Sequence, residues 1–420
     1  MFSTKIQEKM KKKWKLLHAT DFKSLMYPCF FNCGILGIFP YKINASNFEI
    51  SKPRYILSIV IICVSFVSCL LINHGFIISK IITLGSIVRN FEAVCFFTFN
   101  GLIMILTHIL SNPRMRLLQK IWEISSKLLP SKTYQKLSRL IHTKDILSVI
   151  LLAVQEYVYF SKMRLFETNH WIVRCFITVF LVYLLQLEFH MNMLYVNCVC
   201  VLKACFKKID DDLNYIQRLM TNDMKSSVPS LICSTQRNQI FLIELKTLMR
   251  QHLMINETVQ LLNIIFSLQL LATVTVTFAQ ITAGLYDYIV HWQGEVIITF
   301  DRHLLDAILT TMVQYVMKVM LIVWACETGK NQAREIGTTI YDVLNNARDK
   351  QIKAELQLFS LQILHCKNTF LTKGLTMDAT LLATMVGGIT TYMLILIQFL
   401  IAGHSCDERS GINITNNSVI

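Results

Sequence analysis

Seven apolar stretches bounded by polar residues run through the chain, at 55–79, 88–110, 145–160, 171–200, 259–286, 304–326 and 378–402. A helix needs about 20 predominantly apolar residues to cross the hydrocarbon core of a bilayer, so these stretches predict an all-α membrane protein with seven transmembrane helices. Composition agrees: 53% of residues are hydrophobic, 16% are charged and mean hydropathy is +0.47, more apolar than the surface of a soluble domain can carry. A length of 420 residues would hold two or three soluble domains, yet it fits one bundle of seven spans and their loops equally well. The third stretch is the weakest, being short and holding Gln155 and Glu156. Leaving it out gives six spans and sets the flanking basic loops on opposite sides of the membrane.

A net charge of +14 raises the question of nucleic acid, and the distribution of lysine and arginine answers it. They concentrate in alternate loops, 33 on one side of the membrane and six on the other, with Arg174 and Lys318 inside spans. The positive-inside rule then predicts a cytosolic N-terminus and an extracellular C-terminus, and the basic charge belongs to topology, not to a nucleic-acid partner. No cleavable signal peptide is expected, because the opening residues Met1 to Trp14 form a lysine cluster without an apolar run. Asn413 and Asn416 stand in sequons in the tail that this topology puts outside, so they are the candidate glycosylation sites.

The chain divides into a basic cytosolic segment (1–54), six helices with their loops (55–326), a cytosolic segment (327–377), a seventh helix (378–402) and an extracellular tail (403–420). The inside segments are long and carry helical apolar stripes, Ile209, Leu213, Ile216 and Leu219–Met220 in one, Ile336, Ile340, Val343 and Leu344 in another. They are expected to be continuations of the spans that pack together in the cytosol as an anchor; the alternative is amphipathic helices lying on an anionic leaflet, with membrane lipid as partner. The thirteen cysteines are scattered, and several fall inside apolar runs, which suits small hydrophobes better than a disulfide framework. Cys29 and Cys33 have no second close pair, so no metal site is expected.

In the last stretch Thr391, Ile395, Gln398 and Phe399 share one helical face, with Tyr392 beside them. The Gln398 amide would be unsatisfied in hydrocarbon, so that face should meet protein or water. The run Thr391-Tyr392, five apolar residues, Gln398-Phe399 resembles the C-terminal signature of insect gustatory receptors. Phe359-Ser360-Leu361-Gln362, Leu364-His365 and Asp378 followed by Leu381-Leu382 and Gly387-Gly388 resemble that family's approach to the signature. Upstream of Phe359 the resemblance rests on span number, inverted topology and length. Insect odorant receptors share a related closing motif and are the nearest alternative. The resemblance implies a homotetrameric ligand-gated cation channel in the plasma membrane of chemosensory neurons, with room for co-assembly with related receptors. In it Ile395 and Phe399 form an apolar constriction and Gln398 lines the open path beside Thr391 and Tyr392. Without the motif, the same stripe reads as packing between neighbouring helices.

In the predicted orientation the outer halves of the first six spans hold many polar and aromatic groups: Asn73, His74, Asn90, Glu92, Gln155, Glu156, Tyr157 and Tyr159 in the first three, Trp171, Thr277, Gln280, Tyr286, Asp306, Thr310 and Gln314 in the rest. Polar side chains at that depth either hydrogen-bond between helices or line a functional cavity, and the resemblance favours a pocket opening outward for a small-molecule tastant. The candidate ligand contacts are Glu92, Gln155, Glu156, Tyr159, Trp171, Thr277, Gln280, Asp306, Thr310 and Gln314. A bitter plant metabolite and a sugar both suit such a set.

Glu188 in the fourth stretch and Lys318 in the sixth sit at similar depth, and an unpaired charge there costs at least about 2–3 kcal/mol, so the two are expected to pair or share water. No acid–base pair, nucleophile constellation or phosphate loop stands at a usable spacing, so no enzyme and no cofactor are expected. A secondary transporter is the rival from another class; it should show two similar halves and helices broken near the midplane, and the sequence carries neither sign.

Overall fold

The computed structural model describes residues 19–44, 47–78, 87–161, 171–223, 231–293, 302–366, 369–372 and 374–416. Ten helices and two small hairpins are described: α1 (Phe22–Ile35), β1 (Tyr41–Ile43), β2 (Phe48–Ile50), α2 (Lys52–Ile77), α3 (Ile87–Ile109), α4 (Ser111–Leu128), α5 (Ser131–Ser161), α6 (Trp171–Asp223), α7 (Leu231–Gln293), α8 (Arg302–Asn346), α9 (Lys350–His365), β3 (Leu371–Thr372), β4 (Leu375–Thr376) and α10 (Ala379–Asn416).

Among the described residues six helices, α2, α3, α6, α7, α8 and α10, are long and apolar enough to cross a membrane. The stretch 145–160 is also helical, as the second half of α5, but α5 is not one of the six. Charged and polar residues of the first half, from Lys132 to Asp145, dilute it.

Three helices far exceed a membrane span. At 1.5 Å per residue, the 53 residues of α6 and 63 of α7 run for about 80 and 95 Å, against a hydrocarbon core of about 30 Å. Their far portions pack on each other. Ile209, Leu213 and Ile216 of α6, Phe241, Leu245 and Leu248 of α7, Ile336, Ile340 and Val343 of α8, and Ile352, Leu356 and Phe359 of α9 are all buried in one core. The apolar stripes expected from the sequence therefore face one another rather than a membrane surface, and their burial supplies the main stabilisation of that end. A polar clamp sits within it. Gln362 Nε2 donates to the Met249 carbonyl at 3.0 Å and lies 3.1 Å from His252 Nδ1, whose ring lies between Phe206 and Phe359.

Residues 19–44 and 47–50 form a folded unit that periodicity alone did not single out. Asp21 caps α1 by accepting from Ser24 N at 2.8 Å, the favoured use of an aspartate at that position. The β1–β2 hairpin pairs Tyr41 with Ile50. Phe30, Phe39 and Phe48 pack ring on ring, and Phe22 and Phe48 meet Trp122 of α4. Tyr41 adds a hydroxyl contact of 2.7 Å to Ser111 Oγ. Such aromatic pairs each contribute about 0.5–1.5 kcal/mol beyond their buried area.

Candidate functional site: an uncovered helix and a buried polar layer

α10 opens on Asp378, which accepts from Thr380 N at 3.1 Å and from Lys330 Nζ at 3.3 Å. The carboxyl is held below its ordinary range chiefly by the Thr380 hydroxyl, with Lys330 adding to the effect. Lys330 extends from α8, so the start of α10 is tied by charge to that helix. The β3–β4 hairpin precedes this joint, and Phe370 beside it presses on Gly329: a Cβ there would stand 2.8 Å from Phe370 Cε2 and 3.4 Å from Val199 Cγ1. Only a residue without a side chain lets the ring approach so closely.

Further along, Leu381, Met385 and Met393 are buried toward the rest of the chain. Gly388 lies against Phe278 of α7, and Tyr392 meets the same ring edge-on, centroids 5.8 Å apart. Tyr392 thus belongs to the contact between α10 and α7. Thr391, Ile395, Gln398 and Phe399 are exposed, Phe399 at 72%. Thr391 Oγ1 returns a hydrogen bond to Gly387 O at 2.9 Å. Only 17% of the membrane-length part of α10 is buried, compared with 72% for α6. An apolar helix left so bare by its own chain needs lipid or other protein around it.

The buried polar layer lies among α5, α6 and α8. Lys318 Nζ stands 2.8 Å from Glu188 Oε1, with both side chains under 7% exposed, and 4.9 Å from the Tyr315 ring centroid. Gln186 Nε2 donates to Glu156 Oε1 at 2.8 Å, bridging α5 and α6. Asn197 Nδ2 donates to Asp145 Oδ2 at 3.1 Å, and Asp145 also pairs with Lys144. The Glu188–Lys318 pairing expected from depth is therefore present. Gln186 and Asn197 were missed as partners; Gln186 is one of four polar residues, with Glu188, His190 and Asn192, that alternate along an apolar span, and that density of polar groups at membrane depth is the signal that would have found it.

The candidate ligand contacts are dispersed over five helices. Gln155, Thr277 and Gln280 are buried, while Glu92, Glu156 and Thr310 are half-buried. Gln155 Nε2 and Thr277 Oγ1 are buried with no hydrogen-bond partner among the described residues, an arrangement that usually calls for water or a ligand. Gln314 goes elsewhere, to the wall of a cavity between α5, α6 and α8 that holds none of the other candidates. The side chains of Tyr159, Trp171, Asp306, Asn413 and Asn416 lie outside the described residues. The helix itself continues through the expected tail as far as Asn416. No group of three metal-ligating side chains occurs among the described residues.

A family model described as 7tm chemosensory receptor matches residues 26–403. The chain is 32% identical to gustatory receptor 28b of Drosophila melanogaster over 117 residues, 26% of this chain and 25% of that protein. It is 33% identical to gustatory receptor 28a of the same fly over 110 residues, 26% of this chain and 24% of the relative. These matches span about a quarter of the relatives' length. In fold it resembles the insect olfactory receptor OR5 from Machilis hrabei in complex with eugenol, with a TM-score of 0.69 at 11% identity over 89% of this chain and 97% of that one. A second structure of the same receptor gives a TM-score of 0.68 at 12% identity, over the same shares of both chains.

Proposed function

The chain belongs to the 7tm chemosensory receptor family, and on that footing we propose that it is a gustatory receptor acting as a ligand-gated, non-selective cation channel. The observation that carries this reading is α10. Of the six membrane-length helices among the described residues, the one with the Thr391-Tyr392 and Gln398-Phe399 signature is also the one its own chain leaves most exposed, as a helix meeting copies of itself around a pore would be. In this reading seven helices span the membrane, α5 supplying the third, with the N-terminus cytosolic and the C-terminus outside. Four copies assemble, alone or with related receptors, and the packed ends of α6, α7, α8 and α9 form the cytosolic anchor. Ile395 and Phe399 close the path as an apolar ring that sheds water, and Gln398 hydrates ions when it opens.

The ligand is a small tastant in the outer half of the bundle. The unpartnered Gln155 and Thr277 atoms and the half-buried Glu156 support that placement, as does the ligand-bound state of the OR5 relative in fold. Bitter metabolites and sugars remain the two classes to screen, and an odorant-like ligand is the third. The site of action is the plasma membrane of chemosensory neurons, with Asn413 and Asn416 as glycosylation sites.

Reconstitution into a planar bilayer tests the proposal. Unitary cation currents that rise with tastant are expected. Substrate flux without unitary conductance points to a transporter and overturns it.

A further inference from the structure

A cavity of about 360 Å³ lies between α5, α6 and α8. Phe189 and Met193 of α6 form its floor and are 5% exposed, while Leu147 of α5 and Met317, Met320 and Trp324 of α8 surround its mouth at 39–54% exposure. Those mouth residues lie on the outer surface of a membrane-spanning bundle, so the cavity opens sideways, toward lipid.

Its polar lining has an uneven distribution of partners. Lys318 Nζ is held by Glu188 at 2.8 Å, and Lys144 Nζ is held by Asp145 with Met193 Sδ 3.4 Å away. Both ammonium groups are thus already matched by carboxylates. The Gln314 amide, on a residue 7% exposed, and the half-buried Ser148 hydroxyl make no hydrogen bond to any described residue. A polar group this deep in a membrane bundle is costly to leave without a partner. The amide offers two donors and an acceptor, and the hydroxyl offers one donor and two lone pairs.

We propose that this cavity binds a neutral amphiphile, a hydrocarbon bearing a hydroxyl or carbonyl group, which enters sideways from the lipid between α5 and α8. Neutrality follows from the balanced pairs: an ionic ligand would add a charge with no counter-ion in a low-dielectric site. The hydroxyl or carbonyl follows from Gln314 and Ser148, and the hydrocarbon body from the leucine, methionine, phenylalanine and tryptophan walls. The site is separate from the tastant pocket proposed above. It requires only that the bundle sit in a membrane, not that the protein conduct ions.

The full chain in lipid nanodiscs is photolabelled with a medium-chain alcohol carrying a diazirine in its tail, with the matching alkane and carboxylate as comparison probes. Saturable labelling of peptides containing Met193, Met317, Met320 or Trp324 is expected, about tenfold stronger for the alcohol than for either comparison probe. Leu151→Trp, which fills the cavity, lowers alcohol labelling about tenfold. Gln314→Leu brings alcohol and alkane labelling to within about twofold of each other. Ser148→Leu serves if the tryptophan variant does not yield monodisperse protein. Equal labelling by alcohol and alkane in the unmodified chain, or unchanged labelling in a well-folded filled variant, means that bulk lipid wets the groove and overturns the proposal. Wild-type protein that labels as expected but passes no tastant-evoked current would instead reject the channel reading and leave this site standing.

Discussion

Lys318 and Glu188 meet at 2.8 Å across α8 and α6, deep in the bundle and almost closed to solvent. Removing one partner of such a pair strands the other charge, at a cost of about 3–5 kcal/mol. Glu188→Gln and Lys318→Met should therefore each lower surface expression and thermal stability sharply. The exchange Glu188→Lys with Lys318→Glu should recover most of the loss. Melting of detergent-solubilised protein reads both, and an exchange no better than the single variants would mean that each charge is satisfied by something other than its partner.

The exposed stripe of α10 makes a second prediction. If Ile395 and Phe399 form the proposed apolar ring, Phe399→Ser or Ile395→Ser wets it and whole-cell current without ligand should rise. Gln398→Ala should leave the resting channel closed and alter conductance or ion preference, because it removes an amide without making the ring more polar. Serine variants that reach the surface and stay silent at rest would place the gate elsewhere.

At Gly329 the prediction is steric. Gly329→Ala puts a methyl 2.8 Å from Phe370 Cε2, and crowding of that kind costs about 1–3 kcal/mol. A lower melting temperature should follow, and Phe370→Leu in the same chain should restore much of it. Because Lys330 next to Gly329 holds Asp378 at the start of α10, the alanine variant should also weaken tastant-evoked current relative to surface protein.

Topology is tested by epitope tags at the two termini, stained in intact and permeabilised cells. The 33-to-six division of basic residues predicts that only the C-terminal tag stains without permeabilisation. The reverse pattern would invert every assignment of inner and outer side.

The helices were legible because a membrane span and a helical stripe are both patterns of consecutive residues. Ile209, Leu213 and Ile216 announce their buried face by spacing alone, and all three are within 2% of full burial. Glu188 and Lys318 were legible for a different reason: hydrocarbon makes isolated charges conspicuous, and equal depth narrows the choice of partner. The hairpin of Tyr41 and Phe48 was not legible, since three-residue strands carry no usable period. Nor was the separation of Gln314 from Gln155 and Thr277. A span that is apolar nearly all round does not state which way it is rotated, so depth could be read from the sequence and direction could not. Tyr392 shows the same limit: it belongs to the signature, yet its ring goes to Phe278 of the same chain.

α7 holds Phe278 against α10 on one side of its midpoint and His252 against Gln362 on the other. A single uninterrupted helix about 95 Å long behaves as a lever. Pivoted at its middle, it converts a tilt of about 4° into roughly 3 Å of travel at each tip, in opposite directions. On the proposed reading, a ligand that wedges the tip near Gln293 shifts the Phe278 contact one way by about 1–2 Å and the His252 clamp the other way by about 1 Å, so that one small rotation reaches both contacts together.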